Sequence, residues 1–339
     1  MKKFLRFSCA LFFLYSFNFP IVFAAEKPQL IFSIDLIRHG DRTPVQDIPN
    51  SPYSWEKGLG ELTPLGKKQE FNLGRELREQ YIQRYHLLPS HYRPETLYAR
   101  STKMNRTIQS AESLLMGLYP LDSRTTSPIP IHTVELEKDH LLEVHFSKNI
   151  ISKIRLYFYA RKLWKEKIGA IQDKIEHWRK ATGLPLTDFQ QFCRLGDNLY
   201  IRKLHHIPLP HGITDQDANT IISLGQWIAA TAYKRKEISY PTGHKFLTTV
   251  VADINQAIQG KNSLKYILFS GHDSSIMSVM NTLGRPLEKP PAYASHLNFA
   301  LFKSDDNYYV KVSMNNKPVI VPGCDKDMCL FSTFSRAVR

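Results

Sequence analysis

Leu36-Ile37-Arg38-His39-Gly40-Asp41-Arg42-Thr43-Pro44 follows the mainly apolar run Leu30-Ile31-Phe32-Ser33-Ile34. The apolar run reads as a buried strand. Gly40 and Pro44 end it and force a turn. Two guanidinium groups and an imidazole are thus delivered to the loop after a strand, the usual place for chemistry in an open α/β sheet. Crowding these groups within five residues calls for an anion. A phosphoryl group is the natural candidate, because the planar fork of Arg matches phosphate oxygens bidentately.

The arrangement recurs. Thr96-Leu97-Tyr98-Ala99 reads as a short strand ending at Arg100, and Ser101-Thr102 are placed to cap a helix through Met104, Ile108, Ala111 and Leu115. Lys265-Tyr266-Ile267-Leu268-Phe269 is a third strand, leading into Ser270-Gly271-His272-Asp273. A parallel sheet would gather the three loops along one edge. Thr63 and Pro64 start a packing helix whose Leu65, Gln69, Leu73 and Leu77 recur at steps of four. Near the C-terminus, Leu297 to Phe302 and Tyr308 to Val312 alternate like antiparallel strands across the polar turn Ser304-Asp305-Asp306-Asn307.

Between these blocks the pattern is helical. Residues Ser123 to Pro130 read as a linker, and Ile150 to Trp178 keeps helical apolar spacing with Lys and Arg on its other faces. This region reads as a pair of packed helices with solvated lysines, and lying on an anionic membrane surface is its competing use. A further helix fits Ala218 to Ala232, after Asp215 or Asp217.

Lys2, Lys3 and Arg6 precede a largely apolar run from Phe7 to Phe23, with Val22 and Ala24 where a signal peptidase expects small or medium residues. Residues 1–24 are therefore expected to be a secretory signal peptide, and Pro20 and the short span argue against a membrane anchor. The formal charge of +14 falls to +11 when those three cations leave. Such a chain attracts anions. It carries no recognisable nucleic-acid module, so nucleic-acid binding is not expected. Export permits a disulfide. Cys324 and Cys329 are spaced for a small loop-closing bridge, Cys193 is left as a buried thiol, and no Cys-x-x-Cys pairing supports zinc.

The stretch Arg38 to Pro44 resembles the Arg-His-Gly-x-Arg-x-Pro loop of the histidine acid phosphatases. Arg100 to Ala111 is similar to that family's second signature, and Leu62-Thr63-Pro64-Leu65-Gly66 to the helix after its first loop. Pro290 to Leu297 and Pro322-Gly323-Cys324 resemble the animal prostatic and lysosomal members. A cysteine which those enzymes carry before the His-Leu pair is missing between Ser295 and His296, and the terminal Cys pair is spaced one residue wider. The animal disulfide pattern is therefore not carried over whole.

The resemblance implies that His39 is a nucleophile forming a phosphohistidine, that Asp273 is the proton donor, and that Arg38, Arg42, Arg100 and His272 bind phosphate. It implies no metal and no cofactor. Arg106 reads as a structural arginine behind the site, and His205-His206 as surface residues. The expected fold is α/β, a mostly parallel open sheet flanked by helices. Residues 25–125 and 245–339 form this core, with 126–244 inserted as a smaller helical cap. The expected function is an exported acid phosphatase, periplasmic or secreted, with a broad range of small phosphomonoesters. Ser274-Ser275 after the His-Asp pair is closer to the Thr-Thr of general acid phosphatases than to the Thr-Asn of phytases. A phytase-like enzyme, a membrane-surface binder that kept the fold and a phosphate mutase are the alternatives. No feature specifies an oligomeric state.

Overall fold

The computed structural model describes residues 27–120, 128–145, 148–261 and 263–338. The expected signal peptide and most of the 123–130 linker lie outside these residues. Strand β1 (Gln29–Arg38) is followed by α1 (Pro64–Arg78), β2 (Leu97–Thr102), α2 (Asn105–Leu118) and β3 (Ile131–Val134). A helical stretch follows: α3 (Lys148–Ala160), α4 (Lys162–Gly169), α5 (Gln172–Thr182), α6 (Phe189–Leu204), α7 (Asp215–Tyr233) and α8 (Lys236–Ile258). The chain closes with β4 (Tyr266–Gly271), α9 (Asp273–Thr282), β5 (His296–Ser304), β6 (Asn307–Met314), β7 (Lys317–Pro318), β8 (Met328–Leu330) and α10 (Phe331–Ala337).

The strand order is β3-β2-β4-β1-β5-β6-β7, with β8 also on β6. The expected α/β architecture is present. Its parallel part comprises β3, β2, β4 and β1, and from β5 onward each described pairing is antiparallel, so the sheet is mixed. β4 sits between β1 and β2, and its register brings Gly271 level with Arg38 and Ser270 level with Ser101. Three loops therefore leave the sheet at the same height, which a topological switch point turns into a crevice.

Alternation along the strands sorts the core. Phe32, Ile34, Leu36, Ile267 and Phe269 pack with Phe246, Val250 and Ile276 on one face. Ile37, Tyr266 and Leu268 pack with Leu73, Leu77, Leu114 and Leu118 of α1 and α2 on the other. Burying each such side chain contributes about 1.5–3 kcal/mol. A third cluster joins Ile154, Trp164, Trp178, Phe192, Leu199, Ile221 and Ile238 to Ile48 of the loop after β1. α8 contributes to two clusters, Ile238 to the third and Phe246 onward to the first.

Local signals explain most element starts. Thr63 caps α1 by accepting from the Gly66 amide at 3.0 Å, and Pro64 is its first residue. Thr214 caps α7 in a reciprocal box with Asp217, one residue before the acids expected to mark that start. Ser101 and Thr102 instead finish β2, and α2 begins at Asn105 without a side-chain cap. Ile150 to Trp178 holds three helices rather than two, because Arg161 and Ile171 leave helical geometry between them. No described helix is long and apolar enough to cross a membrane. Cys324 and Cys329 form the expected disulfide, with Cα atoms 5.4 Å apart, and Cys193 is free.

Candidate active site

The motif loop is held down before its side chains do anything. The His39 amide donates to the Gly271 carbonyl at 3.1 Å, tying the end of β1 to the end of β4. The Gly40 amide donates to Ser110 Oγ of α2 at 3.1 Å. A Cβ on Gly40 would lie 2.3 Å from the Gly66 carbonyl oxygen, so only glycine lets the loop rest on the start of α1.

His39 is 2% exposed. Its Nδ1 is 2.8 Å from the Gly40 carbonyl and so carries the donated proton, leaving a lone pair on Nε2. Burial, then the charges of Arg38, His272, Arg42 and Arg106, hold its pKa well below the ordinary imidazole value. The ring is neutral and oriented, the state a nucleophile requires.

Arginines frame it. Arg38 donates from Nη1 to the Pro291 carbonyl, pairs through Nη2 with Asp273 Oδ2 at 3.0 Å, and has its guanidinium 4.3 Å from the centre of the Tyr293 ring. Arg42 makes a fork with Asp197, at 2.9 and 3.1 Å. The Nε atoms of Arg38, Arg42 and Arg106 are buried without a hydrogen-bond partner, as is that of Arg100. His272 stands edge-on to His39 with ring centres 5.5 Å apart, and its Nε2 lies 3.1 Å from Thr102 Oγ1 and 3.3 Å from Glu143 Oε2. Asp273 opens α9. Burial alone would raise its carboxyl, but Arg38, Arg42, His272 and the Ser274 amide outweigh that and hold it below the ordinary value.

Arg38, His39, Arg42, His272 and Asp273 therefore meet as expected from the sequence. Arg100 does not join them. Its Nη2 is 2.5 Å from the fully buried Asp139, and the largest charge effects on His39 come instead from Arg38, His272, Arg42 and Arg106. The third guanidinium is that of Arg106, which lies 3.5 Å from the Gly60 carbonyl and feels Arg42 and Asp273. Arg106 is set in the first turn of α2, and placing the helix start at Ser101-Thr102 rather than Asn105 hid it. His205 is not a free surface residue either: its Nε2 is 2.7 Å from the buried carboxylate of Asp41 inside the motif. Asp139, Glu143 and Asp197 have no signal in the sequence, since single acids in irregular or helical segments look solvated.

The family model of the histidine phosphatase superfamily, branch 2, matches residues 29–315. The chain belongs to this superfamily. As a histidine phosphatase it is a phosphoric monoester hydrolase, and the resemblance read from its loops is borne out. Human prostatic acid phosphatase is 28% identical over 98% of this chain and 90% of its own length. Bovine lysosomal acid phosphatase is 28% identical over 91% and 77%. Among solved structures, Hafnia alvei phytase in complex with myo-inositol hexakis sulphate aligns with a TM-score of 0.67 and 20% identity, covering 93% of this chain and 97% of that one, a likeness of fold. Among the described residues of this histidine phosphatase, no cluster of His, Cys, Asp and Glu could hold a metal ion.

Proposed function

We propose that this histidine phosphatase is an exported acid phosphatase that works through a phosphohistidine on His39. The observation that carries the reading is a neutral, buried imidazole, proton fixed on Nδ1, among three guanidinium groups with unpartnered Nε donors. Nε2 attacks phosphorus and forms the N–P bond while the bond from phosphorus to the ester oxygen breaks. Asp273 protonates that oxygen, which leaves as the alcohol. Water then gives its proton to Asp273 and its oxygen to phosphorus, the N–P bond breaks, and phosphate leaves. Arg38, Arg42, Arg106 and His272 hold the phosphoryl oxygens throughout.

The preference for acid follows from charge. Asp273 must enter the first step protonated, yet the arginines favour its loss of a proton. A bound phosphate neutralises them and restores the proton donor. Burial and the same cations oppose protonation of His39, which favours the neutral nucleophile as pH falls.

The leaving group would occupy a cleft of about 400 Å³ lined by Tyr200, Ile222, Pro290 and Tyr293, with Arg194 and Lys289 at its wall. Apart from Arg38 and Arg42, those two are the cations among its described lining residues, which favours small monoesters over highly phosphorylated rings. Residues 1–24 would direct export, and residues 126–244 would act as a cap on the 25–125 and 245–339 core. The test is a panel of alkyl, aryl, nucleotide and inositol phosphates across pH, with and without chelator, together with an alkaline quench of enzyme mixed with a 32P-labelled ester, because the N–P bond of a phosphohistidine survives alkali and hydrolyses in acid. Wild-type protein should carry label, and His39→Ala should carry none and turn over no substrate while remaining folded. Label retained by His39→Ala would overturn the assignment.

A further inference from the structure

Helix α6 is fastened along its length to the loop after the nucleophile. Arg194 Nη1 donates to Gln46 Oε1 at 3.2 Å, Asn198 Nδ2 to the Gln46 carbonyl at 2.8 Å, Arg202 Nη1 to Ser51 Oγ at 3.2 Å, and His205, just past the helix, meets Asp41 at 2.7 Å. Asp197 sits in the middle of this row, and its partner is Arg42.

The use of Arg42's donors decides what that contact does. A guanidinium has five N–H groups. Nη1 donates to Asp197 Oδ2 at 2.9 Å and to the Thr43 carbonyl at 3.1 Å, and Nη2 donates to Asp197 Oδ1 at 3.1 Å. Both Nη1 hydrogens and one Nη2 hydrogen are thereby taken. Nε–H and the second Nη2–H remain, side by side on one edge of the plane, and Nε is buried without a partner. That edge is a complete fork for two phosphoryl oxygens.

We propose that Asp197 is a positioning residue for phosphate binding: by clamping the far edge of Arg42 it fixes the Nε–Nη2 edge for the phosphoryl group, so Asp197 completes the phosphate site without itself binding the phosphoryl oxygens. Two effects of its charge compete. A carboxylate near the site repels phosphate, but a buried guanidinium released from a bidentate partner loses the orientation on which a two-point contact depends. The orientation wins, because Arg42 is buried and the fork geometry is what makes Arg more than a point charge.

The inference rests on the phosphatase reading, and the experiment separates the two. Full-length wild type, Asp197→Asn, Asp197→Glu and Asn198→Ala are compared for kcat, KM, competitive inhibition by inorganic phosphate, and Tm. Asn keeps the volume of Asp, so Asp197→Asn should remain folded. It should raise the phosphate inhibition constant and KM together, about tenfold, and Asp197→Glu should recover part of that loss. Asn198→Ala, which loosens the same helix beside the clamp, should lower Tm and leave phosphate inhibition unchanged. Phosphate inhibition in Asp197→Asn that is unchanged or tighter than wild type would overturn the proposal. An inactive wild type on every phosphate ester would instead overturn the reading on which it rests.

Discussion

Arg38 Nη2 lies 3.0 Å from Asp273 Oδ2, so the cation proposed to bind phosphate and the proposed proton donor are joined in one ion pair. On the proposed mechanism, an incoming phosphoryl group would compete with Asp273 for Arg38. Its success would release the carboxyl to take up a proton and so couple arrival of substrate to readiness of the acid.

Asp273→Asn removes this donor. With alkyl phosphates, whose alkoxides leave poorly, kcat should fall by about 10²–10⁴, the usual span for a lost general acid. With aryl phosphates the loss should be far smaller. The wild-type rate on alkyl esters should decline as pH rises and Asp273 gives up its proton, and this decline should be absent from the variant. Steady-state kinetics on both ester classes across pH checks it, and equal losses on both would remove Asp273 from the role.

Arg100 and Arg106 should separate cleanly. Arg106→Ala should cost about 3 kcal/mol of transition-state stabilisation, by analogy with a lost oxyanion donor, with little change in Tm. Arg100→Ala should leave the fully buried Asp139 without its cation. Its main effect should be a stability loss of about 3 kcal/mol, as for other broken buried pairs. Urea unfolding read beside kcat/KM distinguishes them.

Gly40→Ala should be severe on both counts. Its Cβ would meet the backbone of Gly66, which cannot swing aside as a side chain would. Overpacking of this kind costs about 3 kcal/mol and would lift the loop from α1, displacing His39 from its place beside β4. Retention of full activity would show that the loop has slack at this point.

Glu70 lies fully buried in α1, neither carboxyl oxygen has a hydrogen-bond partner, and burial raises its pKa well above the ordinary 4.5. The folded state therefore binds this proton more tightly than the unfolded chain. Stability from this group is complete below the unfolded value and is lost as pH rises towards the folded one. Glu70→Gln should raise Tm relative to wild type at about pH 7.5, and the difference should shrink at about pH 4. Thermal unfolding at the two pH values measures it, and a gain confined to acid would reverse the sign.

The loops that carry chemistry were legible because each follows an apolar strand and breaks with glycine or a polar pair: Arg38 to Pro44 after β1, His272-Asp273 after β4. The parallel β1–β4 pair and the antiparallel end of the sheet followed from the same alternation. Arg106 was misread because Ser101-Thr102 have good capping chemistry, yet both are buried as the last residues of β2, and Thr107 bonds back to the Thr102 carbonyl at 3.0 Å. Tertiary pairing overrode a local preference there. Asp139, Asp197 and His205 are defined by partners 39, 155 and 164 residues away, and no local pattern records a partner at that distance.

The row of contacts between α6 and residues 41–51 bears on how this enzyme could be re-engineered. Exchanging the helical stretch α3–α8, proposed above as a cap insert, for that of a relative would also replace the counter-ion of Arg42 and the imidazole seated on Asp41. Chimeras that transplant the insert alone should lose turnover on every ester alike, and grafting residues 41–51 together with it should restore them.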